Sequence, residues 1–479
     1  MAKQPLIEGS TLDGFLIGEK LHSGGMATLW KVTRPDITTP IVMKVPMILD
    51  GDDATTIVGF EMEQMILPML SGPHVPKLFG IGDFSTQPYI VMEYVEGQSL
   101  LPLLDAAPRP VDEVIDIGVK AARALTDLHR QHVIHFDLKP ANIMFRDDGG
   151  EAVFVDFGLS RHRHLPDLMA EEIRLPVGTA PYVAPEQVLR NRSDPRSDLY
   201  SLGAILYELL TGRQPFGNPR NMRALRRRIW TEPVPPSALN PQVPPWLQEI
   251  VLRCLETDPN DRYPNARMLA FELSHPDSVT LTERAERKHR AGWFRTFRRR
   301  FQSPPAGLTR HIPPDGVTAA SIVMAAIDLS PGHEALAEEV RIQVERMMTL
   351  MPQARLACVH VRKSASLAGD DDVDDHGRNV HLHLLAELRH WSRPLGRPSA
   401  RITFHVLEEG DPADVITTFA RENHVDHLIM GARGASARRR YLGSVSSKVV
   451  AEAPCTVTVV RMPVGSLAEI GAEPEVADA

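Results

Sequence analysis

Apolar positions along this chain change their period twice, which divides it into unequal regions. Within residues 11–275 the early part reads as strands. Gly14–Lys20 and Thr28–Thr33 flank a glycine-bearing turn, and Ile41-Val42-Met43-Lys44-Val45 is an apolar run with one charge inside it. Thr55–Leu70 and Val111–His132 then carry apolar residues at three- and four-residue spacing, which predicts helices. Residues 276–316 lose sustained periodicity, become rich in Arg, Lys and Pro, and read as a linker. Residues 317–462 return to strict alternation. Strands are predicted at Ser321–Ser330, Ala354–Val361, Arg401–Leu407, Asp426–Gly431 and Thr456–Arg461. Helices are predicted between them at Ala335–Leu350, His381–Trp391, Pro412–Asn423 and Ser444–Ala453. Such alternation makes a doubly wound parallel sheet that binds ligands at the carboxyl ends of its strands. Residues 463–479 are small and acidic and read as a loose tail.

With 479 residues, the chain exceeds what one hydrophobic core organises, in keeping with this division. A formal net charge of −8 argues against nucleic acid as a partner. The 3 cysteines, Cys254, Cys358 and Cys455, sit among apolar neighbours at spacings that fit no zinc pattern, and are expected to be inert thiols in a reducing compartment. No apolar run has the ~20 residues of a membrane span, and the N-terminus lacks a signal-peptide core. A cytoplasmic protein is expected. Within the linker, Trp293, Phe294, Phe297 and Phe301 would share one side of a helix with arginines around the rest. Docking on a neighbouring domain is the expectation, with an anionic membrane surface as the alternative.

The chemistry concentrates in His135-Phe136-Asp137-Leu138-Lys139-Pro140-Ala141-Asn142 and, after a short strand, Asp156-Phe157-Gly158. Phosphoryl transfer from ATP needs a carboxylate beside the incoming hydroxyl, a cation on the γ-phosphate and oxygen ligands for Mg²⁺. Asp137, Lys139, Asn142 and Asp156 supply those groups in order. Upstream, Gly24 and Gly25 at the hairpin tip let backbone N–H groups approach phosphates. A lysine within an apolar strand is costly unless paired, so Lys44 demands a carboxylate; Glu63 on the following helix is the expected partner.

These motifs resemble the catalytic loop and metal-binding turn of a eukaryotic-type Ser/Thr protein kinase of bacterial style, an α+β bilobal fold. The resemblance extends to Gly178-Thr179-Ala180-Pro181-Tyr182-Val183-Ala184-Pro185-Glu186, to Asp198-Leu199-Tyr200-Ser201-Leu202-Gly203, and to Arg262 as the expected partner of Glu186. It implies Asp137 as the base, Lys139, Lys44 and Glu63 as further catalytic residues, and Asn142 and Asp156 as Mg²⁺ ligands. Gly24, Gly25 and Lys44 are expected on the ATP phosphates. Glu93 and Val95, beside the gatekeeper Met92, are expected to hold adenine by backbone atoms. His22 and Ala27 replace two of the usual glycines. Phe136 stands where most relatives have an arginine that receives an activating phosphate, and between Phe157 and Thr179 the only hydroxyl is Ser160. The loop is therefore expected to work unphosphorylated. His162 and His164, with Arg161 and Arg163, are expected as solvated loop charge.

Residues 317–462 resemble the universal stress protein family through the strand ending at Asp328, Met430-Gly431-Ala432-Arg433-Gly434, Gly443-Ser444 and Ala453-Pro454-Cys455. The resemblance implies a second ATP near Asp328, Gly431, Gly434, Gly443 and Ser444. The gap from Ala435 to Leu442 is one residue short of the family pattern, however, and Leu329 replaces a usual glycine. It also implies a homodimer through the last strand. The acidic stretch DDDVDDH is expected as a surface loop. The overall expectation is a multidomain, ATP- and Mg²⁺-dependent, non-specific Ser/Thr protein kinase with a regulatory stress domain. The competing expectation is a nucleotide-sensing scaffold without turnover.

Overall fold

The computed structural model describes residues 6–24, 27–47, 54–82, 87–147, 150–165, 167–169, 178–289, 305–309, 321–352, 354–362, 380–396, 402–408, 410–423, 425–432 and 443–462. Gly25, Gly434, the linker aromatics Trp293, Phe294, Phe297 and Phe301, the DDDVDDH stretch and the acidic tail lie outside the described residues.

The first unit opens with an antiparallel sheet of six strands. These are β1 (Thr11–Leu12), β2 (Phe15–Ser23), β3 (Ala27–Arg34), β4 (Ile37–Pro46), β5 (Leu78–Ile81) and β6 (Ile90–Glu93), in the order β1-β2-β3-β4-β6-β5. Helix α1 (Ala54–Ile66) crosses between β4 and β5. Short pairs follow: β7 (Gly97–Ser99), β9 (Ile143–Arg146) and β10 (Ala152–Phe154) form one small sheet, β8 (Val133–Ile134) and β11 (Arg161–His162) another. They flank the turns at His135–Asn142 and Asp156–Gly158.

Helices make the rest of this unit. Helix α2 (Val111–Arg130) buries Val114, Ile117, Ala121, Leu125 and Leu128, one stripe at helical spacing. Asp112 and Glu113 lie in its first turn and His129 and Arg130 in its last, matching the helix dipole at both ends. Helix α3 (Arg196–Thr211) is buried along nearly its whole length and stops at Gly212, whose φ of 67° is the left-handed conformation that glycine adopts without a Cβ penalty. Helices α4 (Pro245–Cys254) and α5 (Ala266–Ser274) pack around it and α2.

The linker begins docked. Gln248 donates to the carbonyls of Arg284, Ala285 and Arg287, and Arg284 is paired with both Glu249 and Glu256. Further along, Leu308 is fully buried and its carbonyl accepts from Asn191.

The second unit is a five-stranded, all-parallel sheet in the order β14-β13-β12-β15-β16. Its strands are β12 (Ile322–Ala326), β13 (Arg355–Arg362), β14 (Ile402–Glu408), β15 (His427–Gly431) and β16 (Thr456–Val460). The connecting helices are α6 (Glu334–Leu350), α7 (Val380–Ser392), α8 (Pro412–Glu422) and α9 (Ser444–Glu452). The strand order reverses between β12 and β15, the position at which open α/β sheets form a ligand crevice. Val323, Met324, Ala325, Leu356, Cys358, Leu428 and Ile429 are completely or almost completely buried, because a parallel sheet covered on both faces needs apolar residues at consecutive positions.

Candidate active site

Lys44 projects from β4 between the buried Met43 and Val45. Its Nζ lies 2.6 Å from Glu63 Oε2 on α1 and 2.9 Å from Asp156 Oδ1. Burial opposes its charge, but the two carboxylates outweigh burial and hold the ammonium above the usual lysine range. The same attraction from Lys44, against the pull of burial, lowers the Asp156 carboxyl to about 2. Both groups stay ionised across the physiological range. Asp156 has φ of +67°, a strained conformation for a non-glycine residue, and the Phe157 N–H reaches Glu63 Oε1 at 3.4 Å. Helix α1, strand β4 and the Asp156 turn thus meet at one charge cluster.

The loop His135–Asn142 is held from below. The carboxylate of Asp198, completely buried at the start of α3, accepts the N–H groups of His135 (2.9 Å) and Phe136 (3.0 Å) and the His129 ring (2.8 Å). Asp137 then stands with one oxygen 2.7 Å from Lys139 Nζ and the other accepting from Thr179 N (2.8 Å) and Oγ1 (3.0 Å). Asn142 spends its amide N–H₂ on the Asp137 carbonyl at 3.0 Å and carboxylate at 3.3 Å. Its amide oxygen takes no part in those two bonds. The second oxygen of Asp156 is likewise outside the Lys44 contact. Carboxylate and amide oxygens are the donor set a hard divalent cation takes, so these residues fit Mg²⁺.

At the end of β6, Glu93 N–H is bonded to Lys77 O and Tyr94 N–H to Pro40 O, and Val95, two residues past the strand, has no backbone bond to its own N–H among the described residues. Arg146 pairs with the Glu93 side chain. Gly24 closes the hairpin by donating to Ala27 O at 3.1 Å. The substrate-side frame is fixed by Arg262 and Glu186, both with no exposed side-chain surface, joined by two bonds of 2.6 and 2.8 Å.

The structure also brings in Arg192, Asp167 and Arg228, which motif reading passed over. Phe136 is buried at φ +61°, and the Arg192 guanidinium stacks 4.7 Å from its ring centroid. Arg192 binds the Asp167 carboxylate at 2.8 Å and the Leu159 carbonyl at 2.8 Å. An internal carboxylate therefore occupies an arginine beside the catalytic loop, in the manner of a loop phosphate. Ser160 has no exposure and donates to His135 O. Arg228, also missed, is buried and donates to the carbonyls of Val183 and Ala180 beneath the Thr179–Glu186 segment.

The expectation of solvated charge at 161–164 is corrected. His162 is almost fully buried, pairs in β11 with β8, and is lowered to about 3 by burial. Arg161 is mostly buried and donates to Arg192 O at 2.6 Å. Strand pairing with Val133 and Ile134, invisible in local composition, pulls this stretch inward.

In the second unit a cavity of about 390 Å³ opens at the carboxyl ends of β12, β13 and β15, lined among others by Asp328, Ser330, His360, Gly431 and Ser446. Asp328 accepts from Ser330 N at 3.1 Å. A Cβ on Gly431 would come within 2.7 Å of Leu336. Gly443 caps α9 and Ser444 opens it, so the structure brings Asp328 and Gly431 to the cavity and sets Gly443 and Ser444 at an adjoining helix start.

Comparison with known proteins identifies the families of the two units. Residues 15–273 match the protein kinase domain family and residues 320–461 the universal stress protein family. Serine/threonine-protein kinase PknL of Mycobacterium tuberculosis is 31% identical over 294 residues, covering 60% of this chain and 73% of that protein. Serine/threonine-protein kinase PknB of Mycolicibacterium smegmatis is 32% identical over 289 residues, covering 57% of this chain and 46% of that one. The crystal structure of the Mycobacterium tuberculosis PknI kinase domain aligns with a TM-score of 0.44 at 25% identity, covering 56% of this chain and 98% of the other. Among the described residues no helix is long and apolar enough to cross a membrane. The chain belongs to the protein kinase family, among its bacterial Ser/Thr members, and joins to that domain a universal stress protein domain.

Proposed function

We propose that the chain transfers the γ-phosphate of ATP to serine and threonine hydroxyls of protein substrates, as a non-specific Ser/Thr protein kinase dependent on Mg²⁺. The observation that carries this reading is the convergence of Lys44, Glu63 and Asp156 at 2.6 and 2.9 Å, beside an Asp137 held by Lys139 and Thr179. Lys44, steadied by Glu63, would bind the nucleotide phosphates, with the hairpin at Gly24 and Gly25 above them and the backbone of Glu93 and Val95 on adenine. Asp156 and Asn142 would hold Mg²⁺, which neutralises phosphate charge when bound. Asp137 would orient the substrate hydroxyl and accept its proton, while Lys139 would counter charge on the transferred group.

Asp137→Ala and Asp156→Ala are each expected to lower phosphate transfer to a generic basic protein by at least ~10³-fold, the scale on which positioned charge acts in such sites. ATP binding, measured by titration with Mg²⁺, is expected to survive the first substitution and weaken in the second. Substantial transfer by Asp137→Ala would refute the base assignment. Nucleotide binding without any transfer by the wild-type chain would leave a scaffold instead.

The second unit supports three finer proposals. A second ATP would lie over the cavity at Asp328 and Gly431, with phosphates toward Gly434, Gly443 and Ser444, since a helix N-terminus and its N–H groups favour an anion. A homodimer would form through β16, an edge strand of the sheet. The compartment would be the cytoplasm, where ATP is available and the cysteines, all free here, stay reduced.

A further inference from the structure

The two units share a continuous apolar core. It runs from Ile57, Val58, Met62 and Ile66 of α1 through to Leu388 of α7, Leu356 of β13 and Ile402 of β14. Polar contacts mark where the second unit grips the first. Glu61, on α1 two residues before Glu63, is only 5% exposed, and its carboxylate lies 3.6 Å from the Arg389 guanidinium of α7. Arg389 is oriented by Phe404 of β14, whose ring centroid lies 5.3 Å from it. Just past α1, Met69 Sδ is 3.8 Å from the Arg355 guanidinium at the start of β13. Burial pushes the Glu61 carboxyl up to about 7, against the pull of Arg389 and His381. A carboxylate on a covered helix face is costly unless the covering element brings a cation, and here the covering element does so.

The second grip is on the segment after Asp156-Phe157-Gly158. Asn423, at the end of α8, donates from its side-chain nitrogen to Phe419 O at 3.1 Å, which turns its oxygen outward. That oxygen accepts the backbone N–H of Asp167 at 2.7 Å. Asp167 is the carboxylate that holds Arg192 over Phe136. The Asn423 contact thus fixes the backbone of the residue that stands in for a loop phosphate.

Helix α1 carries Glu63 and the Asp167 segment borders the catalytic loop, so both mobile parts of a kinase cleft are held by the same domain. We infer that the universal stress protein domain is an intramolecular activator of the kinase domain. It clamps α1 through Arg389 and Glu61 and the post-Asp156 segment through Asn423 and Asp167, and supplies the ordering that loop phosphorylation supplies elsewhere. The state in which both clamps are closed is the state in which the Lys44–Glu63 bond is formed at 2.6 Å. Arg389 and Asn423 are positioning residues. The inference rests on the reading of the first unit as an active kinase, and its test is built to separate the two.

The test uses the full chain carrying Arg389→Gln, Glu61→Gln, both together, Arg389→Lys and Asn423→Ala. Peptide phosphorylation is measured beside amide hydrogen exchange across Ala54–Ile66. Arg389→Gln, Glu61→Gln and Asn423→Ala are each expected to lower kcat about 5- to 50-fold with a smaller change in the peptide KM, the usual span of coupling between sites. The double substitution is expected to cost no more than the larger single one, because both remove one contact. Arg389→Lys, which keeps a cation, is expected to restore most of the activity, and α1 protection is expected to fall in the impaired variants. Activity and α1 protection unchanged in both Arg389→Gln and Asn423→Ala would overturn the inference. A wild-type chain without transfer would fail the kinase reading alone. The exchange arm would still decide the clamp, supporting it if α1 loses protection in Arg389→Gln and overturning it if protection is unchanged.

Discussion

At the level of single residues, charges taken out of water are placed where a partner meets them. Arg262 and Glu186 form a bidentate pair with no exposed side-chain surface, so removing one leaves the other buried and uncompensated. Arg262→Ala is expected to destabilise the kinase domain by about 3–5 kcal/mol, read by chemical unfolding. An unfolding midpoint equal to that of the wild type would contradict the pairing. Histidines make the opposite case. His162 and His405 are both lowered to about 3, chiefly by burial, and are therefore neutral in the fold. An unfolded histidine takes up a proton below about pH 6.5, so their contribution is present above that pH and is lost as pH falls from there toward 3. Each is expected to cost about 1.4 kcal/mol of stability per pH unit on that limb. His405→Phe should flatten the acid limb of the second unit's unfolding, and an unchanged slope would show that the ring is solvated. Lys44 and Glu63 illustrate what motif spacing conveys at this scale: a lysine inside an apolar strand demands a carboxylate, and the helix offers it at the right register. Arg192 could not be read that way. Its stacking on Phe136 and its bond to Asp167 join positions far apart in the chain, and no local pattern marks them.

Among the elements, helices and strands with strong periodicity fall close to where the sequence puts them. Val111–His132 is observed as Val111–Arg130, and Pro412–Asn423 as Pro412–Glu422 with Asn423 as its cap. Apolar stripes and capping residues carry that information. The stretch from Arg161 to His164 did not reveal its position, because its burial comes from pairing with β8 and not from its own composition. The post-Asp156 segment gives the sharpest element-scale expectation. Ser160 is fully buried and Thr179 is bonded to Asp137, while Asp167 already occupies Arg192. Phosphatase-treated protein is therefore expected to keep most of its activity. A large loss traced to Ser160 or Thr179 would contradict this arrangement.

For the whole molecule, the alternation of strands and helices in residues 317–462 was enough to anticipate a parallel sheet open at the carboxyl ends of its strands, whereas the strand order that sets the cavity was not legible. The seating of that sheet's helices on α1 was not legible. Glu61 looks like any surface glutamate until Arg389 is placed beside it, and the two are separated by most of the chain. Among the described residues β16 is an edge strand, with which a second copy would pair. Light scattering is expected to report a dimer for the full chain. A monomeric wild-type chain would rule out that interface.

Asp137, Lys44, Glu63 and Asp156 are proposed to form a working phosphotransfer site. It is tested most directly by incubating the full chain with radiolabelled ATP, Mg²⁺ and a generic basic protein, beside Asp137→Ala, and hydrolysing the product to its amino acids. Labelled phosphoserine and phosphothreonine are expected with the wild-type chain and none above background with Asp137→Ala. No label with either, or equal label with both, would contradict it.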